Sequence, residues 1–353
     1  MAHITGLATA VPAHRHAQQA IFRMLYSQAP QAAKVEAIFR RSAIAHRHTV
    51  LPDLDFVARN PGTQARNDVY VQEAHKLAAE AVRRCLERAG ARPESIDSLV
   101  VVSCTGYEIP GLDLTLAKAF GMRADLRRSC ILGMGCYAAF PGLARAKDAV
   151  LARRGRALMV AVELCSLHYQ LDPSPDSVVS SALFADGAAA ALLESEGSLE
   201  LLDAETLTHY DTVDHMAFSM TDNGFRMHLS SYVPTVLATN VAGLLEGLLA
   251  RNGLRQDQIR HWGIHPGGRK ILDHLQQVLG LSDAQLASSR RVLRDYGNMS
   301  SPTVLFVLED LLASSEPQAG DHAILMAFGP GLTMEACLLR WHAPQGVPQG
   351  LDS

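Results

Sequence analysis

Apolar positions along this chain follow helical and strand periods by turns. Ala78, Ala81, Val82, Cys85 and Leu86 share one face of a 3.6-residue period, as do Val241, Leu244, Leu245, Leu248 and Leu249, and each set predicts an amphipathic helix. Each helix runs into a similar turn, Ala89-Gly-Ala-Arg-Pro-Glu-Ser-Ile96 and Arg251-Asn-Gly-Leu-Arg-Gln-Asp-Gln-Ile259, in which Gly90 and Ile96 recur as Gly253 and Ile259 at an offset of 163. A short apolar run follows each turn, at 99–103 and 261–265, and predicts a strand. Gly/Pro turns at Pro110-Gly111 and Pro266-Gly267 then open a further helix. Gly135-Cys136 before a helix at 137–152 matches Gly297-Asn298 before a helix at 302–312, offset 162, and apolar runs at 156–161 and 322–327 follow at offset 166. Recurrence in this order predicts two copies of a βαβα unit, an N-terminal half at 1–200 and a C-terminal half at 201–341. Strands alternating with helices give an α/β fold with helices covering the sheets.

Composition narrows the class. At 353 residues the chain is long for one ordinary core, which suits a duplication. Hydrophobic residues make up 48% and charged residues 19%, which excludes disorder and favours extensive burial or a buried subunit face. A net charge of −4 without a basic stripe gives no electrostatic reason for a nucleic-acid or membrane partner. The start lacks the basic and apolar segments of a signal peptide, and no run reaches the ~18 uninterrupted apolar residues of a membrane span, so a cytoplasmic enzyme is expected. The six cysteines, at 85, 104, 130, 136, 165 and 337, lack metal-ligand spacing and read as reduced thiols, some of them core filler. One of them is a candidate nucleophile.

In α/β sheets, sites form where loops meet helix N-termini beyond the strand ends. The repeated turns present Cys104, Cys136, His265 and Asn298 there. Cys136, in Ile131-Leu-Gly-Met-Gly-Cys136, opens a helix whose N-terminal dipole favours thiolate. His265 projects at a strand end before Pro266, where a general base or donor is usefully placed. Asn298 reads either as a helix N-cap or as a hydrogen-bond donor. Together a Cys, a His and an Asn make a nucleophile with two donors, a set suited to acyl transfer through a thioester.

Gly135-Cys136, Ile264-His-Pro-Gly-Gly268, Tyr296-Gly-Asn-Met-Ser-Ser301 and Ala327-Phe-Gly-Pro-Gly-Leu-Thr333 resemble the signature blocks of the type III polyketide synthases, the chalcone synthase-like family. The resemblance runs from about residue 3 to 341. It implies the thiolase fold, five layers (αβαβα) built from two duplicated halves, and a homodimer. It further implies that Cys136 takes a starter acyl group from coenzyme A, that His265 and Asn298 stabilise the enolate left when malonyl-CoA loses carbon dioxide, and that His265 holds Cys136 as thiolate through an ion pair. Coenzyme A thioesters are then the substrates, and no metal or redox cofactor is needed; the sequence has no Gly-x-Gly-x-x-Gly fingerprint.

By the same resemblance Phe184 is a gatekeeper between the coenzyme A tunnel and the cavity, and Met227 stands where plant enzymes carry a second gatekeeping Phe. Cys104, His168 and Phe218, with Ser300, fall on cavity-lining positions; plant chalcone synthases have Thr, Thr and Gly at the first three, so a coumaroyl starter is not expected. Arg40 and Arg41 match approximately the basic cluster with which the family grips the nucleotide, and Arg269 and Lys270 lie in the first turn of the helix after His265-Pro-Gly-Gly268, where backbone donors and the helix dipole favour phosphate; each alone also reads as solvated surface charge. Residues 342–353, rich in Pro, Gly and Gln, read as a loose tail. The expected activity is iterative decarboxylative condensation with malonyl-CoA on an acyl-CoA starter. A fatty acyl starter giving an alkylpyrone or alkylresorcinol is the first expectation, and a malonyl starter giving tetrahydroxynaphthalene the second. The rival is a ketoacyl synthase initiating fatty acid synthesis, whose usual block carries His-Gln-Ala-Asn in place of His265-Pro-Gly-Gly268.

Overall fold

The computed structural model describes residues 1–153, 155–230 and 232–343; the tail expectation therefore lies, from residue 344 on, outside the described residues. The first half runs β1 (His3–Ala10), β2 (His14–Ala17), α1 (Gln18–Tyr26), α2 (Ala32–Arg41), β3 (His46–Thr49), α3 (Asp55–Ala58), α4 (Thr63–Ala89), β4 (Ser98–Ser103), α5 (Leu112–Ala119), β5 (Arg127–Leu132), α6 (Ala139–Arg153), β6 (Ala157–Leu164), α7 (Pro175–Leu183) and β7 (Asp186–Glu194). The second runs β8 (Leu199–Thr208), the hairpin β9 (Met216–Thr221) and β10 (Gly224–Leu229), α8 (Val233–Arg251), β11 (Ile259–Ile264), α9 (Arg269–Leu279), α10 (Ala287–Tyr296), α11 (Thr303–Ser314), β12 (His322–Gly329) and β13 (Thr333–Trp341).

Nine strands join in the order β11-β12-β13-β8-β1-β7-β6-β4-β5. Outward from the β8–β1 seam both wings repeat one pattern: two antiparallel pairings, then a parallel one. The seam itself matches only His3 with Glu200 and Ile4 with Leu199.

Strand residues alternate between two cores because successive side chains point to opposite faces. In β6, Leu158, Val160 and Val162 pack with Ala74, Ala78 and Val82 of α4, whereas Ala157, Met159 and Ala161 pack with Leu143 and Ala146 of α6. In β12, Leu325 joins the second core, which includes Val304 and Leu308 of α11, and Ile324 and Met326 face Leu245 and Leu249 of α8. The layers are therefore α4, the first wing, α6 with α11, the second wing, and α8 with α9. Burial on both faces is why these strands read as continuous apolar runs.

By length and hydropathy α8 is apolar enough to cross a bilayer. Its apolar side is already engaged: Leu237, Val241, Leu244, Leu245, Leu248 and Leu249 are buried in the core it shares with the second wing.

The cysteines are all free. Cys85 and Cys337 are core residues, but Cys130 is exposed on the edge strand β5, so core filling does not describe it.

Glu335 is buried on β13, accepting a hydrogen bond from Thr206 Oγ1 at 2.8 Å across the ladder. Burial pushes its carboxyl up to about 7, with the Thr206 bond pulling the other way. The folded chain therefore keeps a proton that the unfolded chain has lost, between the ordinary value of 4.5 and about 7. This contribution is fully present below 4.5 and is lost as pH rises through about 7. Glu335→Gln is expected to flatten that part of the stability–pH curve and to add on the order of 2 kcal/mol at pH ~8. Urea unfolding at pH ~5 and pH ~8 measures it.

Candidate active site

Cys136 sits in a tight turn, Gly135–Tyr137, between β5 and α6. Gly135 has φ 70°, and a Cβ there would lie 2.6 Å from the Pro330 ring. The Gly-Cys turn and the Gly329-Pro330-Gly331 turn thus interlock, and only glycine permits it. Asn298 follows α10 through Gly297, whose φ is 78° and whose Cβ would lie 2.9 Å from Arg47 Cγ and 3.0 Å from the Leu183 carbonyl. Gly297→Ala is expected to lower stability by about 2 kcal/mol and to displace Asn298; thermal unfolding together with an activity assay checks both.

The Asn298 backbone is pinned to the chain around Phe184. Its N–H donates to Leu183 O at 2.9 Å, and its carbonyl accepts from Ala185 N at 2.8 Å. Its side-chain Oδ1 accepts from Ser300 N at 2.8 Å, which leaves Nδ2 as the outward donor. The residue capping α11 is Pro302, without a side-chain cap, so Asn298 is not that helix's N-cap.

Cys136, His265 and Asn298 are 6%, 1% and 2% exposed. Burial pushes the Cys136 thiol up to about 11, while the polar groups of Ser300 and Asn298 act in the other direction and favour the thiolate. Burial pushes the His265 imidazole down to about 3. Both ring nitrogens of His265 lack a hydrogen-bond partner among the described residues, so the expected Cys136–His265 ion pair is not seen as a hydrogen bond here. Each group taken alone is neutral. A buried imidazole with two unpartnered nitrogens is a group awaiting a ligand.

A cavity of about 470 Å³ opens beside these residues, and Gly135, Phe184 and Ser300 form part of its wall. Cys104, His168 and Phe218 line it as well. Phe184 and Phe218 meet edge to face, with ring centres 6.0 Å apart. His168 stacks on Phe225 at 4.3 Å; its Nε2 bonds Thr105 O at 2.7 Å, and its Nδ1 accepts from Phe225 N at 3.1 Å. With burial pushing it down to about 4, His168 has no nitrogen left for proton transfer and serves as a wall. Met227 does not line this cavity: it pairs with Phe218 across the hairpin and is buried in the first core. Cys165, which the sequence suggests is filler, does line it.

Two buried residues carry no signal in the sequence. Glu163 accepts from Ser301 Oγ at 2.6 Å, Thr105 Oγ1 at 2.8 Å, Cys104 N at 2.9 Å and Cys104 Sγ at 3.2 Å. Burial raises its carboxyl while these donors oppose the rise. Cys104 Sγ in turn lies 3.6 Å from Ser300 Oγ, so Glu163 fixes the wall next to Cys136. Arg47, fully buried, donates to the Phe184 carbonyl at 2.8 Å, and Tyr169 Oη donates to it at 2.6 Å.

The four basic candidates are exposed. Arg40 and Arg41 end α2, and Arg269 and Lys270 begin α9. Arg40 pairs loosely with Glu36 at 3.8 Å and Arg269 with Asp273 at 3.7 Å. Exposed pairs of this kind contribute little and are readily exchanged for another anion.

Layers, cavity and buried thiol define a thiolase-fold condensing enzyme, an acyltransferase. The chain matches the N-terminal domain of the chalcone and stilbene synthases over residues 1–197 and their C-terminal domain over 202–342, and it belongs to that family, the type III polyketide synthases. It is 36% identical over 350 residues to a 1,3,6,8-tetrahydroxynaphthalene synthase of Streptomyces peucetius subsp. caesius, covering 96% of this chain and 93% of that one. It is 33% identical to a 3,5-dihydroxyphenylacetyl-CoA synthase of Streptomyces toyocaensis, covering 96% and 90%. Among solved structures, PKS-I of the brown alga Ectocarpus siliculosus superposes with a TM-score of 0.91 at 33% identity, covering 96% and 98%. The tetrahydroxynaphthalene synthase of Streptomyces coelicolor A3(2) superposes with 0.91 at 29%, covering 97% and 99%.

Proposed function

We propose that this polyketide synthase uses malonyl-CoA as both starter and extender and releases a small polyhydroxylated aromatic. The observation that carries the chemistry is the His265 imidazole, buried at 1% exposure with both ring nitrogens unpartnered among the described residues, in the same site as the buried Cys136 thiol and Asn298. Cys136 Sγ attacks the starter thioester carbonyl; its proton passes to His265 and leaves with the coenzyme A thiol. The next malonyl-CoA loses carbon dioxide, and the electron pair of the broken C–C bond forms an enolate. His265 and Asn298 Nδ2 donate to the enolate oxygen. The enolate carbon then attacks the Cys136 thioester carbonyl and expels the Cys136 thiolate, leaving a chain two carbons longer on coenzyme A, which returns to Cys136 by thioester exchange for the next round. The thioester itself is the electron sink, so the proposed reaction requires only coenzyme A thioesters.

The malonyl starter is favoured over a fatty acyl one by two observations. The products named for the two Streptomyces relatives carry no alkyl tail. The cavity, at about 470 Å³, lies in the lower part of the ~300–1,000 Å³ range of small-molecule sites and is walled by Phe184, Phe218 and Phe225. Arg40, Arg41, Arg269 and Lys270 are the proposed phosphate contacts. The proposed working unit is a homodimer, supported by the exposed edge strand β5, which offers unpaired backbone groups, and by the exposed apolar side chains of Leu132 at its end and of Ile109, surfaces that a partner would cover. Six free thiols and coenzyme A substrates suit a reducing, cytoplasmic setting.

Incubation with malonyl-CoA alone, followed by liquid chromatography and mass spectrometry, is expected to give a tail-free polyhydroxylated aromatic, unchanged when palmitoyl-CoA is added. A product formed only with palmitoyl-CoA and retaining its alkyl chain would overturn the malonyl-starter reading.

A further inference from the structure

Away from the cavity, His3 at the start of β1, Glu200 on β8 and His342 just after β13 converge at the sheet seam. Each offers one ligand atom, and these atoms all lie within 4.8 Å of one another. His3 and Glu200 are buried, at 3% and 4% exposure, whereas the His342 side chain is 30% exposed and leaves a path for an ion.

We infer that His3, Glu200 and His342 form a binding site for a divalent transition-metal ion, Zn²⁺ in the first instance, that clamps the seam between the two wings.

The His3 tautomer suits this role. Its Nδ1 lies 3.1 Å from the Ser195 carbonyl, so Nδ1 carries the proton and Nε2 keeps its lone pair, the arrangement in which a metal-ligating histidine is usually held. His342 Nε2 stands 2.7 Å from Glu200 Oε2 and 3.4 Å from Arg340 Nε. Without metal this 2.7 Å contact is a hydrogen bond from His342 Nε2 to the carboxylate, and a binding ion would displace that proton. Arg340 also donates to Glu200 Oε2 at 2.7 Å, while Oε1 has no partner among the described residues. Arg340 can therefore stay on the outer oxygen, and its positive charge will weaken metal binding without blocking it.

Two nitrogens and one carboxylate oxygen with an open position suit Zn²⁺ or Co²⁺. The seam itself has only two matched residue pairs, so an ion here would tie β1, β8 and the end of β13 at the sheet's least-paired junction.

The test uses tag-free, full-length protein stripped with a chelator, then dialysed against ~10 μM free Zn²⁺. The expected result is one bound equivalent by elemental analysis, a melting temperature raised by at least ~3 °C, and visible d–d absorption when Co²⁺ replaces Zn²⁺. His3→Gln with His342→Gln should remove all three and leave polyketide formation unchanged. If the double variant does not fold, each single variant should weaken binding at least ~10-fold. No bound metal in the parent protein, or an undiminished equivalent in the variants, as zinc on the cysteines would give, overturns the inference.

Discussion

Cys136→Ala is expected to lower polyketide formation at least ~10⁴-fold, the scale on which a covalent nucleophile is lost. Cys104 and Cys165 do not replace it. Cys104 gives its thiol hydrogen to Glu163, and burial followed by the Glu163 charge raises its pKa well above the ordinary value. Burial and Glu163 act on Cys165 in the same way. Cys136 differs in that the Asn298 amide as well as the Ser300 hydroxyl favours its thiolate, whereas Cys104 has Ser300 alone against the adjacent Glu163 charge. Steady-state product formation by the variant measures the loss, and a fall of less than ~10-fold would mean that the chain is carried elsewhere.

Asn298→Ala and His265→Ala are each expected to slow carbon dioxide release from malonyl-CoA by ~10²–10³, the usual consequence of removing one donor from an oxyanion site. Asn298 is positioned for this by its neighbours: Oδ1 is committed to Ser300 N and the backbone to Leu183 and Ala185. His265→Gln retains an N–H donor but has no base. It is expected to decarboxylate faster than His265→Ala while loading Cys136 slowly, a split that a merely structural role for His265 would not produce. Equal rates in the two variants would remove His265 as the enolate's donor.

Much of this architecture is legible in the sequence because it is local and periodic. The faces read for α4 and α8 are the buried ones, and the runs at 99–103 and 322–327 are β4 and β12 to within two residues. Glu163 is hidden from the sequence for a physical reason. The apolar run suggests a strand ending at Ala161, but β6 continues to Leu164, because donors from Cys104, Thr105 and Ser301 satisfy a carboxylate that no local pattern could show to be buried. Arg47 reads as one more polar residue in His46-Arg47-His48; its burial depends on the carbonyls of Ser181 and Phe184, far along the chain. Resemblance alone puts Met227 at the cavity; the β9–β10 register places it on the same hairpin face as Phe218 and Phe225, but those two form the wall while Met227 is buried in the first core.

The most direct measurement of the central claim, that Cys136 carries the growing chain, is intact-protein and peptide mass spectrometry of the enzyme quenched during turnover of malonyl-CoA. The expected result is an acyl adduct on the peptide carrying Cys136, growing in two-carbon ketide steps and absent from Cys136→Ala. An adduct on another residue, or product formation with no adduct on Cys136, would contradict it.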